Sequence, residues 1–391
     1  MKRLFIEPLD VLMFRSERPF IARESHVAKF SKIIFPLTFE GAIKSKIFLE
    51  FCKRRNYLPS DFQRKKNEDR SSLNERVKKL IEDDKELKEI LDAIGHPAVN
   101  SESSIQVLGV FFSKKDKKEE FFPVPNDVVR KDEDDEILKL TPILKEELKI
   151  PDTKNYTCFS IHSKIKEEKG LMPFDALKDY LWGGKPDKSQ IIDIPYKTEL
   201  RTGIQLEKGT KTTVEGHLYT AEFLRLKDWK EHWEFVVWIE DKHKLLDKYL
   251  KNEVIRLGGE GKGAICTKID EINLADKLGF SELIEKINEE KRFKLYLASP
   301  SCFNGHESPS DKLERELGVK ELKMIAKLPG KPIYIGGYDF AMNREKPLRR
   351  WVNAGAVYYY EFDGEIKRDN LLIKIINKNN IDMRCAFIGR W

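Results

Sequence analysis

The sequence predicts an α+β fold with antiparallel sheets. One early segment repeats apolar residues every four positions, which is typical of a helix. Several short apolar runs are bounded by Gly, Pro and Asn, which is typical of strands. Strands and short helices are mixed along the chain, and no repeat of solenoid type is visible.

The amino-terminal elements are predicted from KRLFIEPLDVLMF, a buried strand that ends in a proline-marked turn. A basic loop, RSERPF, follows with Arg15 and Arg18. The next element is a helix, with Thr38 as its expected N-cap. Its apolar face consists of Phe39, Ile43, Ile47 and Phe51.

Two strongly charged segments are predicted to be surface insertions. Residues 61–97 keep a single helical stripe of apolar residues, with Asp84 as its polar interruption, which indicates an inserted helix or helical pair. Residues 114–120 form the second charged run, between the strand patterns IQVLGVFF and FFPVPNDVV. We expect both insertions to be solvated.

The segment WGGKPDKSQ, residues 182–190, predicts an inter-domain loop because it collects glycine, proline and polar residues. We therefore divide the chain into domains 1–185 and 186–391. Strand patterns in the second part lie at residues 219–224, 233–239 and 265–269 and at FKLYLAS, with a helix at 281–290. Near the end, KPIYIGGYDF and RRWVNAGAVYYYEF predict strands, the second interrupted by a turn at 353–355.

Composition limits the possible functions. The net charge is only +6, so basic residues must cluster before they favour nucleic acid. The five cysteines include no CxxC pair, which disfavours a disulfide framework or a zinc knuckle. The first residues form too short an apolar run for a signal peptide, and no stretch of about 18 apolar residues occurs. We therefore expect a soluble, cytoplasmic protein without a membrane contact.

The glycine-rich stretch LGGEGKGAICTKI matches no nucleotide-binding motif. A P-loop would need glycine in place of Arg256 and a hydroxyl residue after Lys262, where Gly263 stands. A dinucleotide fingerprint fails too, because Gly259 and Gly261 precede a strand pattern instead of a helix. Two interpretations remain open: a glycine turn between strands, and a loop whose backbone closely approaches a phosphate of RNA.

No metal or cofactor site is predicted from the sequence. The seven histidines form no HExxH motif and no pairing with cysteine at metal spacing. Asp339 and Glu260 lack a companion carboxylate, so we interpret them as turn-capping residues. His26 and His217 lie in basic loops, where a general base for RNA cleavage could be placed.

Two further segments combine basic and aromatic residues. NREKPLRRW joins Arg349 and Arg350 to a tryptophan, which suits phosphate contacts with base stacking, although a solvated charged loop has the same composition. RTGIQLEKGTKTTVEGHLYTAEFLRL, residues 201–226, offers Lys211 and Thr212 as ammonium and hydroxyl donors to phosphate oxygens. Its aromatic residues alternate along one face of a predicted strand.

Four stretches, in matching order and spacing, resemble the third subunit of the Cmr complex. That complex is the type III-B CRISPR effector, whose subunits belong largely to the RAMP superfamily. The four stretches are EPLDVLMFRSERPF, RTGIQLEKGTKTTVEGHLYTAEFLRL, LGGEGKGA and KPIYIGGYDFAMNREKPLRRWVNAGAVYYYE. One departure is the carboxyl terminus, MRCAFIGRW, which lacks the terminal glycine-rich loop of many RAMP proteins, so we assign that backbone role to residues 258–263.

The resemblance implies two ferredoxin-like domains of RRM type and a subunit of antiviral defence that is not known as an enzyme. It also implies that the subunit holds the 5′ tag of the guide RNA (crRNA), between the large cyclase-bearing subunit and a backbone RAMP subunit. Residues 201–226 would then contact RNA or a neighbouring subunit. The expected RNA contacts are Arg15, Arg18, His26, Arg201, Lys211, Thr212, Gly259, Gly261, Lys262, Arg349 and Arg350.

Two other functions stay open at this point. A RAMP-type endoribonuclease that cuts guide precursors would share the fold, but it needs a positioned base such as His26 or His217. A scaffold that contacts only protein would show no affinity for RNA.

Overall fold

The computed structural model describes residues 1–14, 27–28, 31, 33–99, 102–143, 164–207, 209–210, 212–227, 232–305, 308–367, 371–378 and 381–391. These residues form a mixed α+β architecture whose sheets are largely antiparallel, which confirms the predicted fold class at that level. Within these ranges, no helix combines the length and the apolar character needed to cross a membrane.

The helices and strands of the described residues follow in chain order. The helices are α1 (Pro36–Arg55), α2 (Arg70–Glu82), α3 (Lys85–Ile94), α4 (Phe174–Leu181), α5 (Leu245–Tyr249), α6 (Leu274–Leu278), α7 (Phe280–Glu290) and α8 (Ser310–Leu317). The strands are β1 (Lys2–Pro8), β2 (Val27–Ala28), β3 (Ile105–Lys114), β4 (Glu119–Pro123), β5 (Val128–Lys131), β6 (Ile137–Lys139), β7 (Ile165–Glu167), β8 (Leu171–Pro173), β9 (Tyr196–Leu206), β10 (Thr213–Leu226), β11 (Trp233–Asp241), β12 (Val254–Arg256), β13 (Gly263–Glu271), β14 (Arg292–Leu297), β15 (Cys302–Phe303), β16 (Lys320–Leu328), β17 (Ile333–Asp339), β18 (Arg344–Trp351), β19 (Val357–Asp363), β20 (Leu372–Lys378) and β21 (Ile381–Gly389).

The chain divides into two units, and each unit is assembled from separate chain segments. Unit 1 comprises Met1–Val110, Pro195–Ile272 and Tyr334–Arg349. Unit 2 comprises Phe111–Ile194, Asn273–Ile333 and Arg350–Trp391. The segment 182–190, predicted as an inter-domain loop, lies within unit 2, as does the boundary predicted after residue 185.

The main sheet of unit 1 is built around β1, which confirms the predicted amino-terminal strand. The strand order is β12-β13-β1-β11-β3, and β1 runs antiparallel to both β13 and β11. Leu4, Phe5 and Ile6 are all fully buried. Because successive side chains of a strand point to opposite faces, both faces of β1 are covered.

Helix α1 packs its predicted apolar face into unit 1. The buried face runs from Phe39 to Phe51, and the Phe39 ring meets that of Phe235 on β11 edge to face at 5.4 Å. Burial of one such side chain contributes about 1.5–3 kcal/mol. The prediction of Thr38 as N-cap is wrong: the helix already begins at Pro36, whose fixed φ and missing N–H suit a first turn.

The charged segment at residues 61–97 contains the predicted helical pair, α2 and α3. Asp84, predicted as a polar interruption of one stripe, is the N-cap of α3, and its carboxylate accepts the N–H of Leu87 at 3.0 Å. The hydroxyl of Tyr57 donates to the same carboxylate at 2.9 Å. In the second charged run, the expected solvation is wrong for Glu120, which is buried because it lies within β4.

Unit 2 contains a sheet of order β15-β21-β14-β19-β16, with β20 paired to β21, and a smaller sheet β6-β5-β7. The end of β3 belongs to this unit and pairs with β4, which pairs with β8. The turn predicted at residues 353–355 is confirmed between β18 and β19. Gly355 has φ +94°, and a Cβ there would lie 2.9 Å from the carbonyl oxygen of Val124.

A buried polar cluster lies inside unit 2. The carboxylate of Asp127 accepts hydrogen bonds from the hydroxyls of Tyr180 at 2.9 Å and Tyr359 at 2.6 Å. The buried ammonium of Lys294 donates to the carbonyl of Tyr180 at 2.7 Å. Burial raises the pKa of Asp127 and lowers the pKa of Lys294, since both charged forms are removed from water.

Candidate nucleic-acid interface

Three of the four sequence stretches that carry the resemblance meet in unit 1. Strand β10 pairs antiparallel with β9, within the stretch that begins at Arg201. Leu12, from the amino-terminal stretch, bridges to Leu224 of β10, and the next residue, Met13, bridges to Gly258 of the glycine-rich stretch. Segments more than 200 residues apart in sequence therefore form one continuous surface.

The centre of this surface is an apolar cluster with cations above it. Met13 and Phe223 are buried in it together with Val11 and Ala221. The ammonium of Lys262 lies 5.0 Å from the centroid of the Phe223 ring, and the guanidinium of Arg201 lies 5.5 Å from it. An aromatic ring attracts a cation at this distance, by about 0.5–1 kcal/mol at exposed sites.

A ring of four charges borders the cluster. Arg201 donates to Asp10 at 2.8 Å and to Glu199 at 2.7 Å. Arg225 binds the same two carboxylates, with a distance of 2.8 Å to Asp10. A hydrogen bond from Arg225 and a smaller contribution from Arg201 lower the pKa of Glu199 to about 2. Arg201 thus already has two carboxylate partners, and a phosphate at this position would compete with them.

The glycine-rich stretch forms the turn between β12 and β13. The N–H of Leu257 donates to the carbonyl of Lys262 at 2.9 Å, which closes the turn. The N–H of Gly259 donates to the carbonyl of Met13 at 2.7 Å. Gly258 has φ +78°, and a Cβ there would lie 2.3 Å from the Met13 oxygen. The first interpretation, a turn between strands, is confirmed, while phosphate contact stays a prediction.

The tip of this turn is open to a ligand. Gly261 is exposed, with φ +62°, and a Cβ built on it would meet no atom within 4 Å. The next side chain, Lys262, forms no ion pair with any residue that the structure describes. Unlike Arg201, Lys262 therefore keeps its positive charge available to a phosphate.

The structure places the other predicted contacts differently. Thr212 is exposed, and its carbonyl accepts the N–H of Glu207 at 2.9 Å. Arg15, Arg18, His26 and Lys211 lie outside the described residues. His217 is on β10, but its side chain is also outside the description.

Arg349 and Arg350 lie on β18, the former half-buried and the latter exposed. The tryptophan that the sequence placed beside them, Trp351, is buried and offers no stacking surface. Exposed rings lie instead on β17, at Tyr334 and Tyr338. Sequence reasoning missed these rings, although their spacing in YIGGYDF puts them on the same side of a strand.

The described residues contain no group of three or more His, Cys, Asp or Glu side chains placed to hold a metal ion. Four cysteines, at positions 52, 266, 302 and 385, are free and buried. Burial raises the pKa of the Cys266 thiol to about 12. The Cys266 thiol is therefore protonated at neutral pH.

An α+β chain in which distant basic and glycine-bearing segments converge fits the RNA-associated class that the resemblance implies. Residues 4–381 match the family model described as CRISPR-associated protein (Cas_Cmr3). The chain belongs to this family, which confirms the resemblance to the third subunit of the Cmr complex. It is thus a subunit of the type III CRISPR effector class.

Solved structures with low sequence identity also align with the chain. One is a chain of the cryo-EM structure of the Type III-B Cmr-beta bound to cognate target RNA and AMPPnP, with a TM-score of 0.47 and 16% identity, covering 91% of this chain and 86% of that chain. Another belongs to the Csm3-Csm4 subcomplex of the type III-A CRISPR-Cas interference complex, with a TM-score of 0.40 and 13% identity, covering 100% and 99%. A comparison with curated proteins gave no match.

Proposed function

We propose that this chain is a non-catalytic RNA-binding subunit of a type III-B CRISPR (Cmr) antiviral effector. In that role it holds the 5′ tag of the guide RNA and bridges the large cyclase-bearing subunit to a backbone RAMP subunit. The proposal includes the two ferredoxin-like, RRM-type domains that the family resemblance implies. It also includes the cytoplasmic location of the resulting ribonucleoprotein.

The observation that carries the RNA-binding part is the position of Lys262. Its ammonium stands over the Phe223 ring, where the three family stretches meet, and it has no carboxylate partner among the described residues. The adjacent Gly261 is exposed and carries no side chain. A phosphate can therefore approach the backbone and the ammonium together.

The neighbouring charge ring helps to position RNA on this surface more than it increases the affinity for RNA. Its two arginines and two carboxylates cancel, so it adds no net charge to the surface. Hydrogen bonds to two separate carboxylates, Glu199 and Asp10, hold Arg201 over the Phe223 ring. Net attraction for RNA then depends on cations outside the ring, of which Lys262 is the described example in this cluster.

The proposal is tested with the full chain, alone and in the reconstituted complex, by filter binding of tagged guide RNA across a series of salt concentrations. One variant replaces six proposed contacts with alanine: Arg15, Arg18, Arg201, Lys211, Lys262 and Arg349. If about four of them contact phosphates, the wild-type slope of log affinity against log salt is near −3, at roughly 0.7 per phosphate. The variant should bind weakly and with a flatter slope.

A matched control removes the same charge elsewhere in unit 1. It replaces six exposed lysines of the helical-pair segment with alanine: Lys65, Lys66, Lys78, Lys79, Lys85 and Lys88. This control should keep the wild-type slope. A slope near zero for the wild type, or equal slopes for both variants, contradicts the proposal, and an absence of RNA affinity in chain and complex alike indicates a protein-only scaffold.

The non-catalytic part has its own test. His26→Ala and His217→Ala should leave target cleavage by the assembled complex within a few fold of wild type. Removal of a general base typically costs about 10²- to 10⁴-fold in rate. A loss of about a thousandfold with intact assembly would establish the endoribonuclease function instead.

A further inference from the structure

The hairpin of β17 and β18 carries every exposed aromatic ring in the described part of the chain. Tyr334 is 49% exposed, Tyr338 45% and Phe340 64%, and Leu348 beside them is 57% exposed. The two strands form a sheet of their own. A group of exposed rings marks an interaction site, because large aromatic side chains gain most when they are covered.

The exposed tyrosines share one side of the hairpin. Tyr334, Gly336 and Tyr338 occupy alternate positions of β17, so they face the same way. Gly336 has no side chain, and a Cβ built on it would lie 3.7 Å from Cδ1 of Leu348. The Leu348 side chain therefore lies beside Gly336 between the two rings, and the three side chains form one exposed apolar surface that a flat ligand can cover.

Contacts at the tip fix the rings of Tyr338 and Phe340 before any ligand arrives. The hydroxyl of Tyr338 donates to Oδ1 of Asn343 at 2.6 Å. The rings of Tyr338 and Phe340 meet edge to face at 5.4 Å. The carbonyl of Ala341 accepts the N–H of Arg64 at 2.7 Å, which ties the tip to the segment preceding α2. Rings that are held in place lose less conformational entropy on binding.

The charge of the hairpin identifies the kind of ligand. The hairpin, residues 333–351, carries four basic and two acidic residues, a balance of 4 − 2 = +2. Arg344 and Lys346 are exposed and form no ion pair with any described residue. Cations beside exposed aromatic rings are the combination that holds single-stranded nucleic acid, because phosphates meet the cations while bases stack on the rings.

We propose that this hairpin binds unpaired RNA by stacking bases on Tyr334, Tyr338 and Phe340, with Arg344 and Lys346 at the phosphates. The identity of the nucleic acid rests on the function proposed above. Recognition is by the flat face of the base and is independent of sequence, since every base has a π face. Paired RNA is excluded, because its base faces are covered within the helix.

The test measures fluorescence anisotropy of the full chain with two probes of equal length and charge. One probe is a short unstructured RNA, and the other has the same backbone without bases. The variant Tyr334→Ala/Tyr338→Ala should bind the first probe at least about fivefold more weakly for each ring removed. On the abasic probe it should match the wild type, because no base is present to stack.

Two further variants separate stacking from other effects. Tyr334→Phe/Tyr338→Phe keeps both rings and should bind the RNA probe within about twofold of wild type. Leu49→Ala/Leu58→Ala removes exposed apolar surface at α1 and just after it and should leave RNA binding unchanged. Thermal melting of each variant shows whether it is folded, and only a small drop in melting temperature is expected, because Tyr338 makes one hydrogen bond and one ring contact at an exposed tip.

Several outcomes overturn the assignment. One is wild-type affinity of the ring-less variant for the RNA probe, and another is an equal loss on the abasic probe. If the ring-less variant keeps its RNA affinity but no longer co-purifies with the other subunits, the hairpin is a protein contact. Wild-type chain that binds no RNA, alone or in complex, removes the proposed function as well.

Discussion

The ammonium of Lys262 lies 5.0 Å from the centroid of the Phe223 ring. This contact joins the glycine turn to strand β10. The ring is buried in a cluster with Val11 and Met13, so its position is fixed. The lysine therefore presents its charge at a defined point on the surface of unit 1.

Lys262→Met should weaken RNA binding with little loss of stability. Methionine keeps the length of the stem over Phe223 but removes the charge. The negative slope of log affinity against log salt should therefore become shallower by about 0.7. Stability should fall by no more than about 1 kcal/mol, the size of an exposed cation–π contact. Lys251→Met, an exposed lysine of the same unit, serves as control in the same salt titration. Equal slopes for the two variants would remove Lys262 from the interface.

Glu199 should make the charge ring sensitive to acid. Its pKa in the folded protein is about 2, below that of an unfolded glutamate, because Arg225 and Arg201 donate hydrogen bonds to the carboxylate. Its contribution is therefore fully present above about pH 4.3 and is lost as the pH falls towards 2. The melting temperatures of the wild type and Glu199→Gln should differ most near neutral pH and should converge below pH 3. Glu75→Gln, at an exposed site on α2, controls for the charge change, and a gap that stays constant with pH contradicts the role of Glu199.

Two glycines of the same turn should respond differently to alanine. Both have positive φ, which costs about 1 kcal/mol for a residue with a Cβ. Only Gly258→Ala also places a Cβ 2.3 Å from the Met13 oxygen, so it should lower the free energy of unfolding clearly more than Gly261→Ala. Asn252→Gly relieves a left-handed residue with φ 60° and should not destabilise the protein. Denaturant titration ranks the three variants, and a larger loss for Gly261→Ala would show that the turn packs differently.

In unit 2, Asp127→Asn should destabilise the fold strongly, while a second change should restore part of the loss. The single variant removes the carboxylate whose charge favours the charged form of the buried Lys294, and it should lower the free energy of unfolding by about 1–3 kcal/mol. Asp127→Asn/Lys294→Met also removes the ammonium, and it should be more stable than Asp127→Asn alone. Denaturant unfolding of the two variants checks the order. If the double variant is the less stable one, Lys294 stabilises the fold by packing and not by charge.

Local patterns in the sequence predicted local structure well, because their causes lie within one element. The four-residue repeat from Phe39 to Phe51 is sufficient to identify α1, and the break at Asp84 marks the point where one helix of the pair ends and the next begins. The start of α1 is ambiguous in the sequence because both Pro36 and Thr38 suit a first helical turn, and the helix begins at the proline.

Contacts between residues far apart in the sequence cannot be predicted from such local patterns. The sequence around Arg201 indicates an unpaired cation. In the structure Arg201 binds Asp10, which lies 191 positions earlier in the chain. The burial of Trp351 and the exposure of Tyr338 depend on which side of a hairpin is covered, and composition does not specify that side. Each unit is built from three separate segments of the chain, which alternate along the sequence. No single change of composition therefore marks a boundary between the units.

The alternation of segments has a consequence for synthesis of the protein. Strand β1 is completed by Pro8, but its two neighbours in the sheet begin only at Trp233 and Gly263. At a translation rate of about 5–20 residues per second, roughly ten to fifty seconds separate β1 from its partners. During that interval the nascent chain carries an unpaired apolar strand that could join the edge of another polypeptide. Pairing of β1 must therefore wait for strands made much later, and β1 stays exposed to non-native strand pairing in the meantime.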